Sequence, residues 1–187
     1  MMQELSLNVL DVAENSVSAG ASLIEVEVWE DPKADLLTIL IRDNGCGMTE
    51  EQVRQVTDPF YTTRKTRKVG LGVPFFKLAA ELTGGSFSIT SEVGKGTETK
   101  AVFVRSSIDR MPLGDMAETM VSLIGCNPDI DFIYRYGFGE ALFEADTREF
   151  REILGDVSLA EPQVRSFIRE FITENMKATG ETAVAEE

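Results

Sequence analysis

Residues 36–48 read LLTILIRDNGCGM, a mostly apolar run that ends in a carboxylate and a glycine-rich turn. The apolar run predicts an interior β-strand, because a strand buried on both faces lacks the usual polar alternation. Asp43 follows directly, where its carboxylate can accept a hydrogen bond from an exocyclic amino group such as that of adenine. Gly45 and Gly47 would let a ring approach the backbone without an intervening side chain. The alternative is a plain tight turn, since Asp-Asn-Gly is a common turn signal.

The segment upstream of this strand predicts a helix over residues 3–20, ended by Gly20. Asp11, Asn15 and Ser18 are four and three residues apart, so they share one helix face. An amide oxygen suits magnesium, and a carboxylate one turn earlier could orient or deprotonate a water near a terminal phosphate. The alternative is that these residues form the solvated side of an amphipathic helix.

A second glycine turn, Gly70-Leu71-Gly72, precedes a helix predicted over residues 71–83. Free backbone N–H groups and the helix dipole favour phosphate at such a position, although a plain turn would have the same sequence. Residues 58–69 predict a polar loop long enough to suggest a lid, in which Phe60 could be a hinge, an anchor or part of the core. Just before the glycines, this loop has four cations in five residues: Arg64, Lys65, Arg67 and Lys68. A solvated loop is the alternative interpretation of these cations.

Further strands and helices are predicted along the rest of the chain. Thr49 and Gln52 have the spacing of a capping box at the start of a short helix. Strands are expected at 23–29, 87–91 and 98–105, helices at 116–124 and 161–177, and a hairpin at 132–145. The expected organisation is one unit at 1–105, an α/β extension at 106–177 and a flexible acidic tail at 178–187.

Composition excludes several classes of function. The chain has 32 acidic and 18 basic residues, a net charge of −14, so general nucleic-acid binding is disfavoured. No apolar run approaches the ~20 residues of a membrane span, and the N-terminus does not resemble a signal peptide. Two cysteines predict free thiols in a reducing cytoplasm. Histidine is absent, which excludes it as a base, metal ligand or phospho-acceptor on this chain.

Taken jointly, these strings resemble the GHKL superfamily of ATP-binding domains, which includes DNA gyrase, heat-shock chaperone ATPases, histidine kinases and mismatch-repair ATPases. Residues 10–21 resemble the N box, and residues 43–48 the first glycine box. Residues 58–63 resemble the F box of histidine kinases. Residues 70–72 and 94–97 resemble the second and last glycine boxes. The resemblance covers roughly residues 3 to 105.

The resemblance implies the Bergerat fold, an α/β two-layer sandwich of a mixed sheet under helices, here with a C-terminal hairpin-plus-helix extension. It implies that ATP lies between the first helix and a mobile lid. Asn15 would bind Mg²⁺, Asp11 would be the catalytic carboxylate, and Asp43 would meet the adenine amino group, with Thr97 nearby through water. Lys65 is the lid cation expected to reach the phosphates. The expected nucleotide contacts are Asn15, Ser18, Ala19, Asp43, Gly45, Gly47, Met48, Phe60, Lys65, Gly70, Leu71, Gly72, Val73 and Thr97.

Three departures from the family pattern bear on catalysis. The hydrolytic members have glutamate where this chain has Asp11, which is one methylene shorter. Histidine kinases usually have lysine at the position of Ser18, and the second glycine box lacks its first glycine. We expect ATP binding to tolerate all three changes, and the rate of catalysis to be the property that they affect.

Two functions are therefore expected. One is a kinase-type ATP-binding module that acts in trans on a protein partner supplying the phospho-acceptor. The other is a nucleotide-controlled binding module with little or no catalysis, whose partner reads the state of the lid. A homodimer is compatible with either function, whereas nucleic-acid and membrane partners are not expected. A mismatch-repair-like ATPase lacks support, because no transducer domain of sufficient length follows.

Overall fold

The computed structural model describes residues 4–58 and 71–185 of the chain. In these ranges the elements are α1 Leu5–Ser18, β1 Leu23–Asp31, β2 Leu36–Asp43, α2 Glu50–Thr57, α3 Gly72–Leu82, β3 Ser86–Glu92, β4 Gly96–Val104, α4 Met116–Cys126, β5 Asp131–Phe138, β6 Ala141–Asp146, α5 Thr147–Leu154 and α6 Pro162–Ala185.

The strands form a mixed sheet in the order β3-β4-β2-β1-β5-β6. All neighbouring strands are antiparallel except β1 and β5, which run parallel from the Leu23–Asp131 pair to the Glu30–Phe138 pair. The interior position of β2, between β1 and β4, confirms the prediction from its apolar sequence. The β5–β6 hairpin extends the main sheet through the pairing of β5 with β1.

Among the described residues, helices pack on one face of the sheet, and the opposite, more open face carries charged side chains. In β1, Ile24, Val26 and Val28 are buried beneath the helices. Glu25 and Glu27 alternate with them and form ion pairs with Arg135 on the open face. The buried apolar residues form one cluster that includes members of α1, α3, α4 and α6. These observations confirm the predicted α/β two-layer architecture.

The helix boundaries follow local signals. Thr49 accepts a hydrogen bond from the backbone N–H of Gln52, and the Gln52 side chain accepts one from the N–H of Thr49, which confirms the capping box of α2. Gly20 follows α1 with φ of 73°, and Gly84 follows α3 with φ of 83°. A residue with a Cβ is strained in this left-handed conformation, which explains why glycine ends both helices.

Two helical segments differ from the sequence-based expectation. Helix α5 was not predicted, because it has only two turns. It is stabilised by an N-cap bond from the N–H of Arg148 to Asp146 and by burial of Phe150. Helix α6 continues to Ala185, past the expected end at 177. Lys177 and Glu181 pair one turn apart, and Thr179 is buried, so this part of the helix is held by its own contacts. The division of the chain at residue 105 remains a prediction.

Candidate functional site

A pocket lies at one end of the sheet between α1, the turn after β2, α3 and the β3–β4 hairpin. Its volume is about 110 Å³, below the roughly 300 Å³ at the low end of typical ligand pockets. Its described walls therefore enclose only part of a nucleotide-sized ligand. It is lined by Val12, Asn15, Ser16, Ala19, Asp43, Cys46, Gly47, Met48, Val56, Val73, Ile89, Thr97 and Thr99.

Asp43, the last residue of β2, has its carboxylate held from two sides. The Ser16 hydroxyl of α1 donates to Oδ2 at 2.6 Å, and the backbone N–H of Gly45 donates to Oδ1 at 2.9 Å. Ser16 is only 4% exposed, so this hydrogen bond is shielded from water on the helix side. Because each carboxylate oxygen has further lone pairs, Asp43 can still accept a hydrogen bond from a group inside the pocket.

Asn44, the next residue, has a structural role. Its side-chain oxygen accepts hydrogen bonds from the N–H groups of Ser22 and Leu23, and its amide donates to the Ser22 hydroxyl at 2.8 Å. These bonds fix the start of β1 against the end of β2. The Asp-Asn-Gly string is thus a tight turn, and its first residue lines the pocket. Its role in binding remains a prediction.

The glycines of this turn are required by contacts within the protein. A Cβ on Gly45 would lie 2.9 Å from the Cβ of Ala19, and one on Gly47 would overlap the carbonyl oxygen of Glu92. Gly47 also has φ of 66°. Sequence analysis attributed both glycines to the approach of a ring. The structure places Gly47 on the pocket wall, while Gly45 is buried against the end of α1.

Asp11 lies against the N-terminus of α3. A Cβ on Gly72, the first residue of α3, would lie 2.7 Å from the Asp11 Cβ and 3.3 Å from its Oδ2. Burial raises the pKa of the Asp11 carboxyl above its ordinary value. Asn15, one helical turn further on, is exposed and lines the pocket. This carboxylate and this amide therefore lie along one edge of the cavity, beside the first backbone N–H groups of α3.

Thr97 on β4 is paired directly with Asp43 of β2 in the sheet register. It also lies opposite Ser91 of β3, and the two hydroxyl oxygens are 2.9 Å apart. The Ser91 oxygen accepts a hydrogen bond from the N–H of Met48 at 2.8 Å. These contacts bring the turn after β2 and the β3–β4 hairpin together around one end of the pocket.

The structure brings many of the predicted site residues together. Seven of them line the pocket: Asn15, Ala19, Asp43, Gly47, Met48, Val73 and Thr97. Asp11 and Gly72 are in contact at its edge, whereas Ser18, Gly45 and Leu71 do not line it. Phe60, Lys65 and Gly70 lie outside the described residues, as does the predicted lid at residues 59–70. The binding role of each residue remains a prediction.

Sequence reasoning missed Ser16, Ser91 and Cys46 as residues of this site. Ser16 lies four residues after Val12, on the buried face of α1. A hydroxyl in the middle of a buried stripe was the available signal, because a buried polar group needs a hydrogen-bond partner. For Ser91 no local signal existed, since its partners are distant in sequence. Cys46 is exposed and lies on the pocket wall.

The donor set at this site fits magnesium bound together with a phosphate. Within residues 4–58 and 71–185, no three acidic or sulfur side chains cluster to form a complete metal site. Asn15 offers an amide oxygen on the pocket wall. Mg²⁺ is typically held by one or two protein oxygens, waters and substrate phosphates, so one such group suffices beside a phosphate.

Comparisons with known proteins give relatives among sensor proteins. The chain is 35% identical over 101 residues to the sensor protein SrrB of Staphylococcus aureus, a match covering 51% of this chain and 17% of SrrB. The matched segment thus spans only about one sixth of that protein's length. Within the described residues, no helix is long and apolar enough to cross a bilayer.

Two solved structures resemble the fold. One is the MutL ATPase domain of Aquifex aeolicus complexed with ADP, with a TM-score of 0.47 and 17% identity, covering 73% of this chain and 61% of that one. The other is the N-terminal domain of a DNA repair protein, with a TM-score of 0.49 and 16% identity, covering 78% of this chain and 52% of that one.

The family model described as histidine kinase-, DNA gyrase B-, and HSP90-like ATPase matches residues 1–107. Because this match covers more than half of the 187 residues, the chain belongs to the family of histidine kinase-, DNA gyrase B-, and HSP90-like ATPases.

Proposed function

We propose that this chain binds ATP with magnesium in the pocket beside α1 and acts in trans, as a signalling kinase or ATPase module, on a protein partner. One observation carries the proposal. A single cavity brings Asp43 and Thr97 at the end of the sheet together with Asn15, next to the contact between Asp11 and Gly72. These residues come from separate segments of the chain, and only folding makes them neighbours.

The two parts of the site suit the two ends of a nucleotide. Asp43 is an acceptor for an exocyclic amino group, and the apolar walls provided by Val12, Val73 and Ile89 suit a flat ring. The start of α3 at Gly72 offers backbone N–H groups and a favourable dipole to phosphate oxygens. Because the pocket itself holds only part of a nucleotide, the phosphates would extend along α1 toward Asn15.

Asn15 would hold magnesium through its amide oxygen, and the bound ion would neutralise phosphate charge. Asp11 would accept the proton of an attacking hydroxyl or water while that oxygen bonds to the terminal phosphorus and ADP leaves. The raised pKa of Asp11, caused by burial, makes it a better proton acceptor than an exposed aspartate. Phosphoryl transfer depends mainly on positioning and charge neutralisation, so the shorter side chain is compatible with the reaction.

A partner surface is available on α3. Leu71, Phe75, Leu78 and Leu82 are 41–60% exposed and follow one another at helical spacing along this helix. An apolar stripe of this kind on a surface marks a site of interaction with another protein. The stripe begins next to the Asp11–Gly72 contact, so a partner bound there would lie close to the phosphate end of the nucleotide.

Unpaired Cys46 and Cys126 support a reducing compartment, and we propose the cytoplasm.

The alternative is a nucleotide-sensing module with little or no catalysis. Asp11 does not line the pocket and is packed against Gly72, which favours a role in closing the site over one in chemistry. On this alternative the chain would bind ATP tightly, and the α3 stripe would report the bound state to a partner or to a second copy of the chain.

The decisive experiment incubates the purified chain with magnesium and γ-labelled ATP, alone and with lysate of its source. Label on a second protein that is lost with Asn15→Ala, and retained with the matched substitution Asn175→Ala on α6, supports the kinase. Release of labelled phosphate with the same mutational pattern supports an ATPase. ATP binding without label or phosphate release supports the sensor, and absence of ATP binding by the folded chain refutes both.

A further inference from the structure

We infer that Ser91 is a positioning residue that orients the Thr97 hydroxyl, so that the pocket prefers a ring with an amino group over one with a carbonyl in the same place. The inference rests on the proposed function, because it concerns the base end of the nucleotide pocket. It assigns a role to a residue that itself does not line the cavity.

Ser91 has a complete set of hydrogen-bond partners. Its oxygen accepts from the backbone N–H of Met48 at 2.8 Å and lies 2.9 Å from the carbonyl oxygen of Gly96. The third partner is the hydroxyl oxygen of Thr97, also at 2.9 Å. These three contacts join β3 to the turn after β2 and to the first residues of β4.

Only one arrangement of the two hydroxyl protons satisfies all three contacts. A hydroxyl has one proton to donate and two lone pairs with which to accept. The Gly96 carbonyl can only accept, so Ser91 must donate to it. The Ser91 lone pairs then receive the N–H of Met48 and the O–H of Thr97. The opposite assignment would leave the Ser91 and Gly96 oxygens facing each other without a proton.

The consequence is that Thr97 presents only lone pairs to the pocket. Asp43, its direct neighbour in the sheet register, is also an acceptor, since both of its oxygens are bound by donors from Ser16 and Gly45. Asp43 and Thr97, which are neighbours on the cavity wall, therefore both require a donor on the ligand. Adenine offers its 6-amino group, whereas hypoxanthine has a carbonyl oxygen there, which would face oxygens that cannot donate to it.

The test compares binding of ADP and IDP, which differ at the six-position and are not substrates for phosphoryl transfer. Dissociation constants are measured by calorimetry with magnesium for the wild-type chain, Ser91→Ala, Ser91→Thr and Ser88→Ala. Ser88 lies on the same strand with its side chain exposed on the opposite face, so Ser88→Ala is a matched control. We expect wild type and Ser88→Ala to prefer ADP equally.

In Ser91→Ala the Thr97 proton is free to turn toward a six-position carbonyl. The preference for ADP over IDP should then fall by about fivefold, the size of one neutral hydrogen bond. Ser91→Thr, which retains the hydroxyl, should restore the preference. If Ser91→Ala does not fold, Ser91→Cys decides, because a thiol fills the same space but forms only weak hydrogen bonds.

A merely structural role for Ser91 gives a different result. In that case both nucleotides bind more weakly to the variant and their ratio is unchanged, which overturns the inference while the proposed function stands. Failure of the folded wild-type chain to bind ADP refutes the proposed function, and the inference with it.

Discussion

Ser16→Ala tests the hydrogen bond that joins α1 to the carboxylate at the end of β2. Ser16 is 4% exposed and its hydroxyl donates to Asp43 Oδ2 at 2.6 Å. A hydrogen bond to a charged group contributes about 1.5–3 kcal/mol, and the half-buried position of Asp43 favours a value of about 2 kcal/mol. For a chain of this length each kcal/mol shifts Tm by about 2–4 °C, so we expect Tm to fall by about 4–8 °C.

The same substitution should weaken nucleotide binding, because it removes one of the two donors that fix the Asp43 carboxylate. If the freer carboxylate weakens the binding free energy by about 1 kcal/mol, the dissociation constant for ADP rises about fivefold. Thermal unfolding followed by circular dichroism gives the first quantity and calorimetry the second. Ser18→Ala, two residues along the same helix and exposed, is the control for thermal unfolding. A fall in Tm of less than 1 °C for Ser16→Ala would refute the contact.

Three further predictions concern charge, access and backbone strain. Burial raises the pKa of Asp11, so the free energy of unfolding should fall as pH rises through that pKa. Asp11→Asn should therefore stabilise the chain at pH 7 but not near pH 4, as measured by urea titration. A less stable variant at pH 7 would contradict this. Cys46 lines the pocket whereas Cys126, also exposed, does not, so ADP should slow maleimide labelling of Cys46 alone. Equal rates with and without ADP would count against the site. Gly96→Ala should lower the free energy of unfolding by at least ~3 kcal/mol, because its Cβ would overlap a carbonyl of β2 and the backbone φ is 120°. Gly94→Ala has open space around its Cβ, so urea titration should show a smaller loss of about 1–2 kcal/mol. Similar losses for both glycines would show that the overlap is relieved.

Local patterns were sufficient where one segment determines its own conformation. The alternation in β1, the apolar run of β2 and the Thr49–Gln52 capping box all correspond to observed elements, because side-chain period and caps act within a few residues. The order of the sequence strings also predicted the family, because several short motifs at suitable spacing are more specific than any one alone. Helix α5 escaped this reasoning, since two turns give too little periodicity to recognise.

The arrangement of the site depended on contacts between distant segments. Asp43 and Thr97 are neighbours because β2 and β4 pair in one register, and no local pattern specifies that register. Ser16 and Ser91 became site residues only when helix packing and strand pairing placed their hydroxyls against Asp43 and Thr97.

The C-terminal hairpin also depends on both local sequence and long-range contacts. Its two strands and the glycines between them are evident in the sequence, because turn chemistry and alternation are local. Edge pairing and a shared core decide that β5 adds to the edge of β1 in parallel, which joins the six described strands in one sheet. Hydrogen bonding along a free strand edge and burial of apolar surface act across the fold, so they become visible only when the chain is assembled in three dimensions.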